Sequence, residues 1–159
     1  MGIEDVGGEI NHLTDAVIGA AIEVHCHLGP GYLESAYEEA MGIELTLRGV
    51  QYKRQVPVSV EYKGSAVGEG RLDLLVGESL VVELKAVDAL APIHRAQVLS
   101  YLKTTALPVG LLLNFNVASM RAGIRRVVLT EKKHPPSGQV HESSARSASP
   151  RFKKDVRFP

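Results

Sequence analysis

The segment RLDLLVGESLVVELKAV, residues 71–87, constrains the fold more than any other part of the chain. Two runs rich in Val and Leu flank residues 77–79, whose sequence Gly-Glu-Ser is typical of a tight turn. This pattern predicts two antiparallel strands joined in a hairpin. The same segment also contains an arginine, two carboxylates and a lysine, so the hairpin combines a hydrophobic framework with a polar patch.

The length of the turn decides where these polar side chains point. Alternate residues of a strand face the same side, so Arg71 shares a face with Asp73, and Glu83 shares a face with Lys85. A three-residue turn pairs Asp73 with Glu83 and Arg71 with Lys85 on one face of the hairpin. A two-residue turn would instead put the two carboxylates on opposite faces.

Two carboxylates side by side repel each other. At a Cβ separation of about 5 Å, the repulsion between Asp73 and Glu83 reaches roughly 4 kcal/mol at an intermediate dielectric. A bound metal ion would offset this repulsion, and so would the side chains of Lys85 and Arg71. The plainer alternative is that the four residues form solvated cross-strand pairs, each contributing less than about 1 kcal/mol.

The rest of the chain follows an α/β pattern. Before Gly49 the apolar residues recur every three or four positions, which predicts two helices, with Asn11 or Thr14 capping the first. Along one side of the second helix we expect Leu33, Tyr37, Ala40, Met41, Glu44 and Leu47. Later segments predict a helix beginning at Pro92, because proline favours the first helical position, and then a strand buried on both faces. The predicted elements are helices at 10–28 and 32–48, strands at 56–64, 66–76 and 79–87, a helix at 91–105, a strand at 108–115 and a possible last strand at 123–130.

Composition indicates an ordinary globular domain, with 45% hydrophobic and 23% charged residues. No apolar run approaches the roughly 20 residues that a membrane-spanning helix needs, and the first residues lack the basic and apolar regions of a leader. We therefore expect a cytoplasmic protein that does not bind membranes. The single Cys26 cannot form an internal disulfide.

Charge is unevenly distributed along the chain. Residues 1–120 contain 8 basic and 15 acidic residues, whereas residues 121–159 contain 10 basic and 3 acidic residues. We expect one domain at residues 1–131 and a basic, Pro- and Ser-rich tail at 132–159 that is disordered or loosely docked. The basic end at 121–159 is a candidate anchor for phosphate backbones, although a solvated tail is the plainer explanation.

Two further pairs of residues are predicted to lie near the hairpin. Gln97 and Tyr101 are four apart and so share one face of the helix that packs across the sheet. Glu34 and Tyr37 are three apart near the start of the second helix, where a carboxylate is favoured by the helix dipole but can also be a plain capping residue.

Several motifs in the same order resemble the GxxExxY family, which is assigned to the PD-(D/E)XK nuclease superfamily. GPGYLESAY contains the Gly-x-x-Glu-x-x-Tyr motif itself, and the resemblance extends over residues 10–130. The other motifs that carry it are VPVSVEYKG, VGEGRLDLLV, VVELKAV, PIHRAQVLSYL and LPVGLLLNFNV. The resemblance implies an α/β fold with a restriction-endonuclease-like αβββαβ core, a mixed sheet flanked by helices, and an extra N-terminal helix.

The resemblance also implies the residues of an active site. Asp73 matches the first acidic position of the superfamily, Glu83 and Lys85 match the Glu-x-Lys pair, and Gln97 with Tyr101 match a Gln-x-x-x-Tyr helix motif. Glu34 matches an acidic residue from the first core helix. Two positions depart from the pattern: Leu72 replaces the proline of the motif, and Arg95 stands where an acidic residue is expected.

These matches imply a metal-dependent nuclease. Mg²⁺ or Mn²⁺ would be bound by Asp73, Glu83, the backbone carbonyl of Leu84 and Glu34. Lys85 would orient or deprotonate the attacking water, a function suited to a lysine with a lowered pKa. Nucleic acid, DNA rather than RNA, is the expected partner.

Two alternatives remain open on the same fold. One is a non-catalytic nucleic-acid-binding module, in which the basic C-terminal segment grips the phosphate backbone. The other is a homo-oligomeric assembly protein.

Overall fold

A computed structural model describes residues 5–130 of the chain, with side chains from residue 7 onward. The predicted tail, residues 132–159, lies outside the described residues. Three helices and five strands follow one another in the order ααβββαββ, with a short 3₁₀ turn before the last strand. The elements are α1 (Asp5–Leu28), α2 (Glu34–Leu47), β1 (Tyr52–Tyr62), β2 (Ser65–Val76), β3 (Leu80–Lys85), α3 (Pro92–Thr105), β4 (Val109–Asn114), the 3₁₀ turn (Met120–Gly123) and β5 (Ile124–Val128).

The strands form one mixed sheet in the order β1-β2-β3-β4-β5. Strands β1, β2 and β3 form an antiparallel meander, and β4 is parallel to β3 because α3 carries the chain back across the sheet. Strand β5 then pairs with β4 in the antiparallel direction. The predicted mixed sheet flanked by helices is confirmed, and so is the last strand.

The sheet is covered on both faces. On one face α1 and α2 pack over the larger core, which includes Met41, Leu45 and Phe115. On the other face α3 packs through Val98 and Leu102. Gly110 of β4 permits this close approach, because a Cβ atom there would lie 2.7 Å from Val98 Cγ1. All six residues of β4 are buried, as its continuous apolar sequence predicts.

Two predictions about the helices are wrong. Helix α1 already includes Asp5, so Asn11 and Thr14 do not cap it, and the Thr14 hydroxyl donates a hydrogen bond to the carbonyl of Ile10 within the helix. Leu33, which precedes α2, and Leu47 at its end are both largely exposed, so they do not share the buried side of the helix. The buried side of that helix is formed instead by Tyr37, Glu38, Met41, Gly42 and Leu45. Within the described residues, no helix is both long and apolar enough to cross a bilayer.

Candidate active site

The β2–β3 hairpin has the predicted three-residue turn. Gly77 and Glu78 have φ values of +56° and +58°, and Val76 pairs with Leu80 on either side of the turn. The last regular pair of the two strands is Leu74 with Val82. Continued by one residue, the same register places Asp73 opposite Glu83. The two carboxylates therefore lie at the point where β2 and β3 separate.

Separation of the strands also removes Arg71 from the predicted cluster. Arg71 is exposed and pairs with Pro57 on β1, and it has no partner on β3, because the β2–β3 ladder ends at Leu74 and Val82. The prediction that Arg71 lies across from Lys85 is wrong, since it assumed a hairpin that stays regular beyond Asp73. Within the described residues, the hairpin cation beside the carboxylates is Lys85.

Asp73 occupies the gap between the two strands. Its Oδ2 accepts a hydrogen bond of 2.8 Å from the backbone N–H of Leu84, which has no β2 ladder partner at this position. Burial raises the pKa of Asp73, while the Leu84 hydrogen bond and the charge of Lys85 oppose the rise. Asp73 is thus held by the backbone of the strand that carries Glu83.

Glu83 is the most buried acidic side chain of the site, with 3% of its side chain exposed. Lys85 Nζ donates a hydrogen bond of 2.9 Å to Glu83 Oε1, whereas Oε2 is buried and has no hydrogen-bond partner among the described residues. Burial, and then the charge of Asp73, raise the pKa of Glu83 to about 7, although Lys85 lowers it. Lys85 alone therefore does not fully stabilise the ionised form of Glu83.

Lys85 is half-buried and surrounded by carboxylates. Burial lowers its pKa, but the hydrogen bond with Glu83 and the charges of Glu83, Glu34 and Asp73 together raise the pKa above its ordinary value. In the absence of a cation, the negative charges of these three groups outweigh the effect of burial on the Lys85 pKa. Lys85 therefore stays protonated at neutral pH.

Glu34 reaches the same site from α2. Burial raises its pKa, Lys85 lowers it, and Asp73 and Glu38 raise it further. Glu34 is the first residue of α2, and the turn before it is fixed by Tyr37. The Tyr37 hydroxyl donates a hydrogen bond of 2.6 Å to the Gly29 carbonyl and accepts one of 3.2 Å from the Tyr32 N–H.

Gln97 and Tyr101 meet on α3, as their spacing predicts. Gln97 Nε2 donates a hydrogen bond of 3.2 Å to the Tyr101 hydroxyl. The Tyr101 ring packs on β2 at Gly70, where an added Cβ would lie 2.8 Å from Cε1. This pair lies on the α3 side of the sheet, and within residues 5–130 it makes no hydrogen bond with Asp73, Glu83 or Lys85.

Glu38 is a residue of this site that the sequence prediction missed. It is buried, with 8% of its surface exposed, and its charge raises the pKa of both Asp73 and Glu34. Its position four residues after Glu34 was the available signal, because residues four apart share a helix face.

The donor chemistry of the site is that of a hard cation, since Asp73, Glu83 and Glu34 all offer carboxylate oxygens. In the part of the chain that the structure describes, no three His, Cys, Asp or Glu side chains form a ready-made metal centre. Among these carboxylates, Glu83 has a buried oxygen, Oε2, that receives no hydrogen bond from the described residues. These residues fit a divalent cation in chemical type and in charge.

Comparison with known proteins gives the class to which the chain belongs. The chain matches the PD-(D/E)XK nuclease superfamily over residues 11–127, which include all of α2, the hairpin and α3. Because this match covers most of the chain, the protein belongs to the PD-(D/E)XK nuclease superfamily. A search of curated proteins finds no match to the chain.

Proposed function

We propose that this protein is a metal-dependent nuclease of the GxxExxY type, which hydrolyses phosphodiester bonds of nucleic acid. One observation carries the proposal: Glu83 has a buried oxygen that receives no hydrogen bond from another described residue, beside a charged lysine and a second carboxylate, Asp73, with which Glu83 shares a proton when no cation is present. A structural ion pair would engage both oxygens of a buried carboxylate, because an unpaired buried polar atom is costly. A cation-binding carboxylate needs such a free oxygen.

The proposed metal ligands converge on the gap between β2 and β3. Asp73 and Glu83 would bind Mg²⁺ or Mn²⁺, with Glu34 as a further ligand or hydrogen-bond acceptor. The carbonyl oxygen of Leu84 would complete the ligand set. The N–H and C=O groups of one strand residue point to the same side, and the Leu84 N–H points at Asp73. When bound, such an ion polarises the phosphate and lowers the pKa of a water molecule.

Lys85 would act as a fixed positive charge in this mechanism. Its raised pKa keeps the ammonium protonated, so the side chain can orient the attacking water and stabilise negative charge on the phosphate. Deprotonation of the attacking water by Lys85 would require a lowered pKa, which a cation bound to the neighbouring carboxylates would favour, since those carboxylates are the groups that raise the Lys85 pKa.

Gln97 and Tyr101 would contact the substrate from the α3 side. The hydrogen bond between them fixes both side chains in one orientation. Gln97 would position water or substrate, and Tyr101 would contact the sugar-phosphate backbone. We expect DNA to be preferred over RNA, and a cytoplasmic location and homo-oligomer formation stay predictions.

Cleavage assays test the proposal directly. Full-length protein is incubated with labelled single- and double-stranded DNA and RNA, with Mg²⁺, Mn²⁺ or EDTA. We expect cleavage that requires the metal and is abolished by Asp73→Asn, Glu83→Gln or Lys85→Ala. Glu69→Gln is the matched control, because Glu69 is an exposed acid on the same strand as Asp73.

Undiminished cleavage by the Asp73→Asn protein would refute the assignment. Salt-dependent binding without cleavage by the wild type would instead favour the non-catalytic binding module. Light scattering of the same samples tests the assembly protein.

A further inference from the structure

The β1–β2 ladder is interrupted directly across from Asp73. Arg54 pairs with Leu74 and Val56 pairs with Leu72, but Gln55 and Asp73 between them are not paired. Gln55 has φ of +52°, a left-handed conformation that residues other than glycine seldom adopt. The strand that supports Asp73 is therefore irregular at the one position facing it.

The irregularity also changes the face that β2 presents. Leu72 packs in the core under α3, whereas Leu74 packs in the core under α1 and α2. Residues two apart in a regular strand share a face, so β2 must twist between Leu72 and Leu74. Asp73 is the residue at this twist, which is why its carboxylate reaches into the gap beside β3.

Glu38 holds the irregular segment from α2. Its Oε2 accepts a hydrogen bond of 2.7 Å from Gln55 Nε2, and its Oε1 accepts one of 3.0 Å from Arg54 Nε. Both carboxylate oxygens are thus engaged by β1. Glu38 is thus held by β1, and its charge raises the pKa of both Asp73 and Glu34.

We propose that Glu38, Gln55 and Arg54 form a brace that fixes the orientation of Asp73 in the site, so that they are positioning residues for catalysis. The inference rests on the proposed nuclease function for its catalytic consequence. The brace joins α2, which carries Glu34, to the backbone directly across from Asp73. It thereby holds two proposed metal ligands from different elements at a fixed separation.

Three variants and one control test the brace. Glu38→Gln leaves one acceptor oxygen for two donors. Gln55→Gly keeps the left-handed backbone but removes the hydrogen bond, whereas Gln55→Val removes the bond and disfavours that backbone. Glu39→Gln is the control, because Glu39 binds the same Arg54 at 2.7 Å but is exposed and lies off the path to Gln55.

The first measurement needs neither metal nor activity. In ¹⁵N NMR spectra of the full-length protein, the Leu84 amide reports on Asp73 through their 2.8 Å hydrogen bond. We expect faster hydrogen exchange and a changed shift for this amide in Glu38→Gln and Gln55→Gly, and a larger effect in Gln55→Val. The amides of β4 serve as an internal check that each variant is folded.

The second measurement is catalytic. We expect Mn²⁺ affinity by calorimetry and kcat in cleavage to fall roughly 10- to 100-fold in the brace variants. KM for nucleic acid should change by less than about twofold, because the proposal has the brace act through Asp73 and not through contact with substrate. Wild-type values in Glu39→Gln would show that the surface ion pair alone is not responsible.

The outcomes distinguish this inference from the proposed function. If the wild type cleaves, and the Glu38→Gln and Gln55→Gly proteins match it in kcat, Mn²⁺ affinity and Leu84 exchange, the brace is overturned while the nuclease stands. If the wild type neither binds Mn²⁺ nor cleaves, the nuclease is overturned. In that case, a changed exchange rate or chemical shift of the Leu84 amide in the variants still supports the brace. Unchanged values would overturn the brace as well. Should Gln55→Val fail to fold, Gln55→Gly and Glu38→Gln decide the matter.

Discussion

Lys85 donates a 2.9 Å hydrogen bond to Glu83, and yet the Glu83 carboxyl has a raised pKa of about 7. The reason is that burial and the neighbouring Asp73 together outweigh the attraction of the lysine. A buried pair of this kind contributes little to stability by itself, because desolvation cancels most of its Coulomb energy. The arrangement is better suited to holding a carboxylate ready for a second positive charge.

This balance predicts the pH dependence of stability without metal. Between pH 4.5 and 7 the folded protein keeps a proton on Glu83 that the unfolded chain has lost, so stability falls as pH rises through this window. The raised pKa of Asp73 adds a change of the same sign. From pH 5 to pH 8, Glu83→Gln should gain on the order of 1–3 kcal/mol in the free energy of unfolding relative to wild type.

Urea denaturation in EDTA at pH 5, 6, 7 and 8 measures this difference. Glu69→Gln, which removes an exposed acid from β2, should have the same free energy of unfolding as the wild type at every pH. Parallel curves for wild type and Glu83→Gln would contradict the prediction.

Divalent metal should reverse this loss of stability. A cation that binds only the folded protein at 100 times its Kd adds about 2.7 kcal/mol to the free energy of unfolding. The gain should be larger at pH 8 than at pH 6, because the metal binds ionised carboxylates. Thermal denaturation with Mn²⁺ and then with excess EDTA measures it, and a similar gain in Glu83→Gln would place the ion elsewhere.

Tyr37 should link the stability of the fold to the position of Glu34. Its hydroxyl ties the Gly29 carbonyl to the Tyr32 N–H, and its ring stacks on Phe115 with centroids 4.5 Å apart. Tyr37→Phe keeps the stacking but removes both hydrogen bonds, so we expect a loss of about 1–3 kcal/mol in unfolding free energy. Tyr32→Phe is the control, since it keeps the backbone N–H, and an equal loss there would show that the Tyr37 hydroxyl is not the cause.

Much of the hairpin could be predicted from the sequence because its determinants are local. The Gly-Glu-Ser turn sets the register, and the register puts Asp73 opposite Glu83. What failed depends on distant partners. The exposure of Leu33 and Leu47 follows from the way α2 lies against α1 and the sheet, which periodicity within the helix does not specify.

The environment of the site also depended on residues far apart in sequence. Glu38 is buried because Arg54 and Gln55 reach it from β1, 16 and 17 positions later in the chain. Arg71 lies outside the cluster because the β2–β3 ladder ends at Leu74, and the residues of β2 that precede Leu74 pair only with β1. An alternating pattern gives the face of each residue in a regular strand, but it does not show where a ladder ends.

The contact between α3 and β2 gives a last prediction, which concerns Gly70. A Cβ atom at this position would lie 2.8 Å from Tyr101 Cε1 and 3.1 Å from Val58 Cγ2, so Gly70→Ala must displace the tyrosine ring. We expect a loss of about 1–3 kcal/mol in unfolding free energy from this overpacking. Gly68→Ala on the same strand is the matched control, because nothing lies within 4 Å of its added Cβ. Urea denaturation of both variants decides the point, and equal stability of the two would mean that Tyr101 does not rest on Gly70.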